Sequence, residues 1–188
     1  MAGAILLAVA LSAQLRDGDL IFHQSRSAQS QAIQLATRSP YSHMGVLFRR
    51  DGRWVVYEAV GPVKFTPLDQ WIARGNGGHF VVKRLRNPPV PPARLLAAGA
   101  KYRGKPYDFY FEWSDTRVYC SELAWKMYKD AAGIEIGRLQ RLRDFDLTAP
   151  AVRAKLAERY GRSVPLDEPV ISPAAMFASE KLVEVVRR

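Results

Sequence analysis

Apolar and polar positions change period several times along this chain. Gly18-Asp-Leu-Ile-Phe22 is a short apolar run behind a glycine and predicts a strand. Residues 25–37 shift to helical spacing, with Ala28, Ala32, Leu35 and Ala36 expected inward, and Pro40 stops the helix. Two β-rich runs follow, residues 42–48 and 53–60, separated by Asp51-Gly52, a strong local hairpin signal. A glycine loop at 75–78 precedes another sheet strand, residues 80–85, and Asn87-Pro-Pro-Val-Pro-Pro92 predicts a stiff connector.

Beyond the connector, residues 93–102 predict a helix, followed by an aromatic loop at 104–111. Helical spacing resumes at Cys120 and runs to Gly133, a stop signal; Leu123, Ala124, Met127 and Ala131 fall on the face that carries Cys120. From Gly137 the pattern is less regular, though Ser172-Pro173 is a good helix start and residues 182–186 predict a returning strand. Strands and helices are mixed rather than strictly alternating. That order predicts an α+β fold with an antiparallel sheet packed against helices.

A chain of 188 residues is long enough for one domain with a real core. With 48% hydrophobic and 24% charged residues it has a globular composition, so disorder is not the expectation. Its net charge of +10 suits anionic partners, among them the polymers of a bacterial envelope or acidic lipid. Zinc-type Cys/His spacing, a phosphate-binding glycine loop, a dinucleotide fingerprint and an RNP-like signature are all absent, so a specific nucleic-acid partner is not expected.

Residues 1–13 form an apolar run too short to span a bilayer as a helix, and they end in Leu11-Ser-Ala13, which resembles a signal-peptidase site. The run reads as a secretory signal, leaving residues 14–188 as a single domain with a periplasmic or secreted address. A buried N-terminal helix is the plainer alternative. The chain has one cysteine, so no internal disulfide is possible.

That cysteine, Cys120, sits where a helix begins. A thiol nucleophile needs a base, and the base needs an orienting group. Three histidines are available, His23, His43 and His79. With Asp51 and Gly52 as turn residues, Arg50 pairs with Arg53 and Gly45 falls opposite Glu58. His43 and Glu58 are then diagonal cross-strand neighbours about 7–8 Å apart at the backbone, within reach for their side chains. A carboxylate there would hold the imidazole and favour its charged form. The helix start would favour a thiolate at Cys120 and offer free amides to an oxyanion. The plainer readings are a small buried thiol, a structural histidine and a Glu58 paired with an arginine. Periodicity alone does not bring residue 120 beside residue 43.

Gly18-Asp-Leu-Ile-Phe22, Gln31-Ala-Ile-Gln-Leu-Ala-Thr37, Tyr41-Ser-His-Met-Gly-Val46, Tyr57-Glu58 and Tyr119-Cys-Ser-Glu-Leu123, in that order, resemble the permuted papain-like amidases of the YaeF/YiiX group, relatives of the NlpC-type cell-wall cysteine peptidases. The resemblance implies a circularly permuted papain-like (NlpC-type) fold, with the histidine strand ahead of the cysteine helix. It implies Cys120 as nucleophile, His43 as general base and Glu58 as orienting acid, with Tyr41 or Tyr119 near the oxyanion site. The reaction implied is cleavage of an amide through a thioester, on cell-wall peptides, and it requires no metal or organic cofactor. A lipid acyltransferase or deacylase on the same fold is the alternative, and a non-catalytic envelope-binding module is the third.

Overall fold

The computed structural model describes residues 11–86 and 89–188, apart from the side chain of Ala28. The first ten residues of the expected leader, the Asn87-Pro88 start of the connector, and the inward placement expected for Ala28 therefore lie outside what is described.

The centre is a six-stranded antiparallel sheet. Its strands are β1 (Leu20–His23), β2 (His43–Arg50), β3 (Arg53–Glu58), β4 (Lys64–Pro67), β5 (Val81–Leu85) and β8 (Leu182–Arg187), in the order β4-β3-β2-β1-β5-β8. The β2–β3 hairpin has the register expected from the sequence, with Arg50 opposite Arg53 and Val46 opposite Tyr57. Asp51 and Gly52 both have positive φ, 48° and 75°, the turn whose twist matches that of the strands it joins.

Alternation along the strands feeds two apolar layers. Leu20, Phe22, Met44, Val46 and Phe48 face the larger core, while Ile21, Leu47, Val56 and Val82 face a smaller one closed by Trp71 and Phe80. Both faces are covered, which is why β1 reads as a continuous apolar run. Residues 11–14 are helical; Leu11 packs against the smaller core, and the Ser12 hydroxyl accepts a hydrogen bond from Trp54 Nε1 at 2.9 Å.

The helices are α1 (Ala28–Thr37), α2 (Leu68–Ala73), α3 (Pro92–Ala100), α4 (Cys120–Ala132), α5 (Pro150–Tyr160) and α6 (Pro173–Phe177). Helix α4 runs through the larger core and is buried from Cys120 to Tyr128. Leu123, Ala124 and Met127 pack toward the sheet as the spacing predicted. Burying each large aliphatic side chain there contributes roughly 1.5–3 kcal/mol. The helix ends at Gly133, whose φ of 70° lets its N–H turn back to Lys129 and Tyr128. At its start, Glu122 accepts a hydrogen bond from the Tyr119 N–H at 3.2 Å. The Ser172 hydroxyl caps α6 by accepting from the Ala175 N–H at 3.0 Å.

Three expectations are corrected. In α1, Leu35 is 41% exposed, and Ser30 instead is buried, its hydroxyl 2.6 Å from that of Ser42. A polar pair formed across the fold there outranks helical hydrophobicity. Pro92 is the first residue of α3 rather than the last of the connector, since proline fits the first helical turn. The irregular tail contains the whole of α5 and a small second sheet, β6 (Gln140–Arg141) with β7 (Pro169–Val170). Helix α5 packs against α1.

Candidate active site

His43 opens β2 and Glu58 closes β3, so the hairpin register decides whether they meet. They do: His43 Nε2 is 2.6 Å from Glu58 Oε2. Gly45 lies beside this contact, and a Cβ there would sit 2.4 Å from Val56 Cγ1 and 2.9 Å from the Tyr57 carbonyl oxygen. Only glycine fits without a shift of the strands.

Glu58 is fully buried and its other oxygen is also held. Glu58 Oε1 accepts from the Thr66 hydroxyl at 2.6 Å and from the Arg74 guanidinium. Burial pushes the carboxyl pKa up, but the hydrogen bond and charge of His43, then Thr66 and Arg74, carry it down to about 2. Glu58 is therefore ionised throughout the neutral range.

With Nε2 on Glu58, the ring nitrogen left for Cys120 is Nδ1. Burial lowers the His43 pKa; the charge and hydrogen bonding of Cys120, followed by those of Glu58, overcome this and raise it to about 9. The fold thus supplies the neighbourhood that periodicity could not, because α4 packs against β2 and brings Cys120 within hydrogen-bonding reach of His43. Cys120 is itself buried, in the first turn of that helix, where the backbone amides are free of helical partners.

The other histidines are arranged differently. His23 faces His43 across β1 and β2, with ring centroids 5.4 Å apart, and stacks on Trp71 at 3.8 Å. Burial first, then the charges of His43 and Arg74, lower its pKa to about 3, so it is a neutral wall beside the charged ring. His79 lines neither cavity described below.

The two tyrosines linked by resemblance to the oxyanion site are engaged elsewhere. The Tyr119 hydroxyl accepts from the Ile171 N–H at 3.0 Å, and the Tyr41 hydroxyl accepts from Arg187 at 3.0 Å. Tyr107 senses Cys120 more strongly than Tyr119 does, the thiol's charge standing second only to burial among its influences. Burial, then the Cys120 charge, raises its pKa well above the ordinary value, and Gln29 Nε2 donates to its oxygen at 3.2 Å. Sequence reasoning did not single out Tyr107 because it is one of four aromatics in its loop, and only the tertiary fold separates it from the others.

Two cavities meet at this point. The first lies on the Cys120 side among α1, α5 and α6 and is lined almost wholly by apolar atoms, including those of Ala32, Phe111, Leu142, Val152, Leu156 and Val170. It is narrow, with about 80 Å³ open to the centre of a water-sized sphere. The second, on the His43 side, is a more polar cleft of about 590 Å³ by the same measure, bordered by His23, Ser42, Arg74, Phe109 and Tyr110.

Residues 14–186 match the family described as permuted papain-like amidase enzyme, YaeF/YiiX, C92 family. The chain belongs to this family. Among its relatives, the uncharacterized protein YiiX of Escherichia coli K12 is 53% identical over 176 residues, which is 93% of this chain and 87% of that protein. The crystal structure of metalloprotein yiiX from E. coli O157:H7 is 51% identical, with a TM-score of 0.90 over 93% of this chain and 98% of that one. Membership of the C92 family gives the permuted papain-like fold and a cysteine hydrolase or amidase kind of function. The permutation is visible in the chain order, with β2 and its histidine ahead of α4 and its cysteine.

Proposed function

We propose that this protein is a cysteine amidase in which Cys120 is the nucleophile, His43 the acid and base, and Glu58 the group that orients His43. The observation that carries this reading is the continuous arrangement of Glu58, His43 and Cys120 at the start of α4, with Glu58 Oε2 2.6 Å from the ring. At neutral pH the imidazole is held protonated. The sulfur attacks the amide carbonyl carbon, and the tetrahedral oxygen is received by free amides of the α4 first turn and by the Tyr107 hydroxyl. As the C–N bond breaks, His43 gives its proton to the departing amine and a thioester remains on Cys120. Water, losing a proton to His43, then hydrolyses the thioester to the free acid.

The apolar cavity beside Cys120 favours a more specific reading, the lipid alternative over a cell-wall peptide. Placing a polar stem peptide there would strip its amides of water without partners, at roughly 1–3 kcal/mol per group. An alkyl chain meets no such cost. The favoured reaction is therefore deacylation of a lipid-like amide. A periplasmic or secreted address and an anionic envelope surface as partner belong to the same proposal, supported by the net charge of +10.

The relative from E. coli O157:H7 is described as a metalloprotein. Among the described residues here, no group of three or more His, Cys, Asp or Glu could hold a metal ion. His43 has Glu58 and Cys120 as its neighbours, and Glu58 is shared with Thr66 and Arg74. This donor set does not fit a resident metal, and no step is routed through one.

Incubating the protein with a long-chain N-acyl amide and measuring intact mass tests the reading. An acyl adduct on wild-type protein that is absent from Cys120→Ala is expected. Free acid produced at the same rate by both proteins would overturn the proposal.

A further inference from the structure

The two cavities are not independent. Gln29, Ile33, Tyr107, Lys155 and Arg159 line both, so they form the ledge between the apolar pocket and the polar cleft. Cys120 borders only the first and His43 only the second. If Cys120 attacks and His43 protonates the departing amine, as proposed above, the acyl part lies in the apolar pocket and the amine departs into the cleft.

The charges of that cleft differ in how fully they are matched. Arg74 is paired with Glu58, and Lys155 Nζ is 2.6 Å from Glu158 Oε2. Arg159 has no carboxylate within ion-pair distance among the described residues. Its guanidinium lies 5.0 Å over the Phe111 ring, which leaves its edge for a ligand. Phe111 itself has a φ of 52°, a left-handed conformation costly for an aromatic residue, and this backbone carries the ring beneath Arg159. The Tyr160 hydroxyl, next along α5, donates to the Tyr110 carbonyl and ties the helix to the same loop.

We propose that the ledge is a subsite for an anionic group on the departing amine, with Arg159 its main contact. The substrate class is then an N-acylated amine that carries a carboxylate or a phosphate close to the amide nitrogen. Cleavage gives a fatty acid and an anionic amine, such as an amino acid or a phosphorylated amino alcohol. This deepens the amidase reading and rests on it for the direction in which the amine leaves.

The test uses N-lauroylglycine, N-lauroyl phosphoethanolamine and the neutral N-lauroylethanolamine, whose acyl chains match. Binding to Cys120→Ala is measured by calorimetry, and hydrolysis by the wild type is measured separately. Both anionic amides are expected to bind roughly tenfold tighter than the neutral one, with the preference shrinking as salt is raised. Arg159→Gln should bring the ratio close to one, and Arg159→Lys should restore part of it. A tighter glycine amide assigns a carboxylate head, and a tighter phosphoethanolamide assigns a phosphate. Anion preference without hydrolysis would keep the subsite and overturn the amidase. Hydrolysis with equal binding of all three, or a ratio unchanged by Arg159→Gln, would keep the amidase and overturn the subsite.

Discussion

Glu58 Oε2 stands 2.6 Å from His43 Nε2, fifteen residues away in the chain, across a hairpin whose turn is Asp51-Gly52. The contact is a diagonal one, fixed by backbone register rather than by side-chain flexibility, so its geometry is set once β2 and β3 pair. Glu58 contributes to the raised His43 pKa of about 9 both as a hydrogen-bond partner and as a charge.

Glu58→Gln keeps the shape of the contact and removes the charge. Amidase activity should fall roughly 10²- to 10⁴-fold, and the His43 titration followed by NMR should move down from about 9. An unchanged His43 titration would mean that Glu58 serves Thr66 and Arg74 rather than the charge of His43.

Cys120→Ala should move the same titration further. After burial, the charge and hydrogen bonding of Cys120 rank ahead of the Glu58 contributions, and burial alone lowers the His43 pKa. The order wild type, then Glu58→Gln, then Cys120→Ala is therefore expected for descending His43 pKa. A Cys120→Ala value still near the wild type would show that the thiol and ring are not in electrostatic contact.

Much of this pair was legible before the fold was known, because Asp51-Gly52 is a local signal and strand pairing from it is simple counting. The cysteine helix was legible too, from the spacing of Leu123, Ala124 and Met127 and from Gly133. What could not be read was tertiary. Helix α5 buries only Val152 fully, and its amphipathic stripe is weak, so nothing local marks it; it is held by packing on α1 and by Tyr160 against Tyr110. The ledge residues Lys155 and Arg159 went unread with it. Ser30 likewise looks like a surface residue until Ser42, twelve positions away, provides its partner.

His23 predicts an acid limb in the stability profile. Its folded pKa of about 3 lies below the ordinary 6.5, so between those values the unfolded chain takes up a proton that the folded one excludes. That contribution is complete above 6.5 and is lost toward pH 3, at up to about 1.4 kcal/mol per pH unit. Glu58, with a folded pKa of about 2 against an ordinary 4.5, weakens the fold only below 4.5. His43 acts in the other direction, with its contribution complete below 6.5 and lost as pH rises through about 9. Urea titrations of wild type and His23→Leu should therefore diverge in slope between pH 6.5 and 4.5, with the variant flatter. Parallel profiles across that interval would assign the acid limb to another group.

Gly45→Ala separates the role of register from that of charge, because it alters no titratable group. Its Cβ would lie 2.4 Å from Val56 Cγ1 and 2.9 Å from the Tyr57 carbonyl oxygen, and only the first can yield by a rotamer change. The second requires β3 to move, at about 1–3 kcal/mol of stability. Because Glu58 follows Tyr57 directly, that movement lengthens the contact to His43. The variant should remain folded, lose activity beyond what its lower stability explains, and show a His43 titration displaced in the direction of Glu58→Gln. Normal activity in a destabilised protein would show that the His43–Glu58 contact tolerates a shift of the strand and is not set by register.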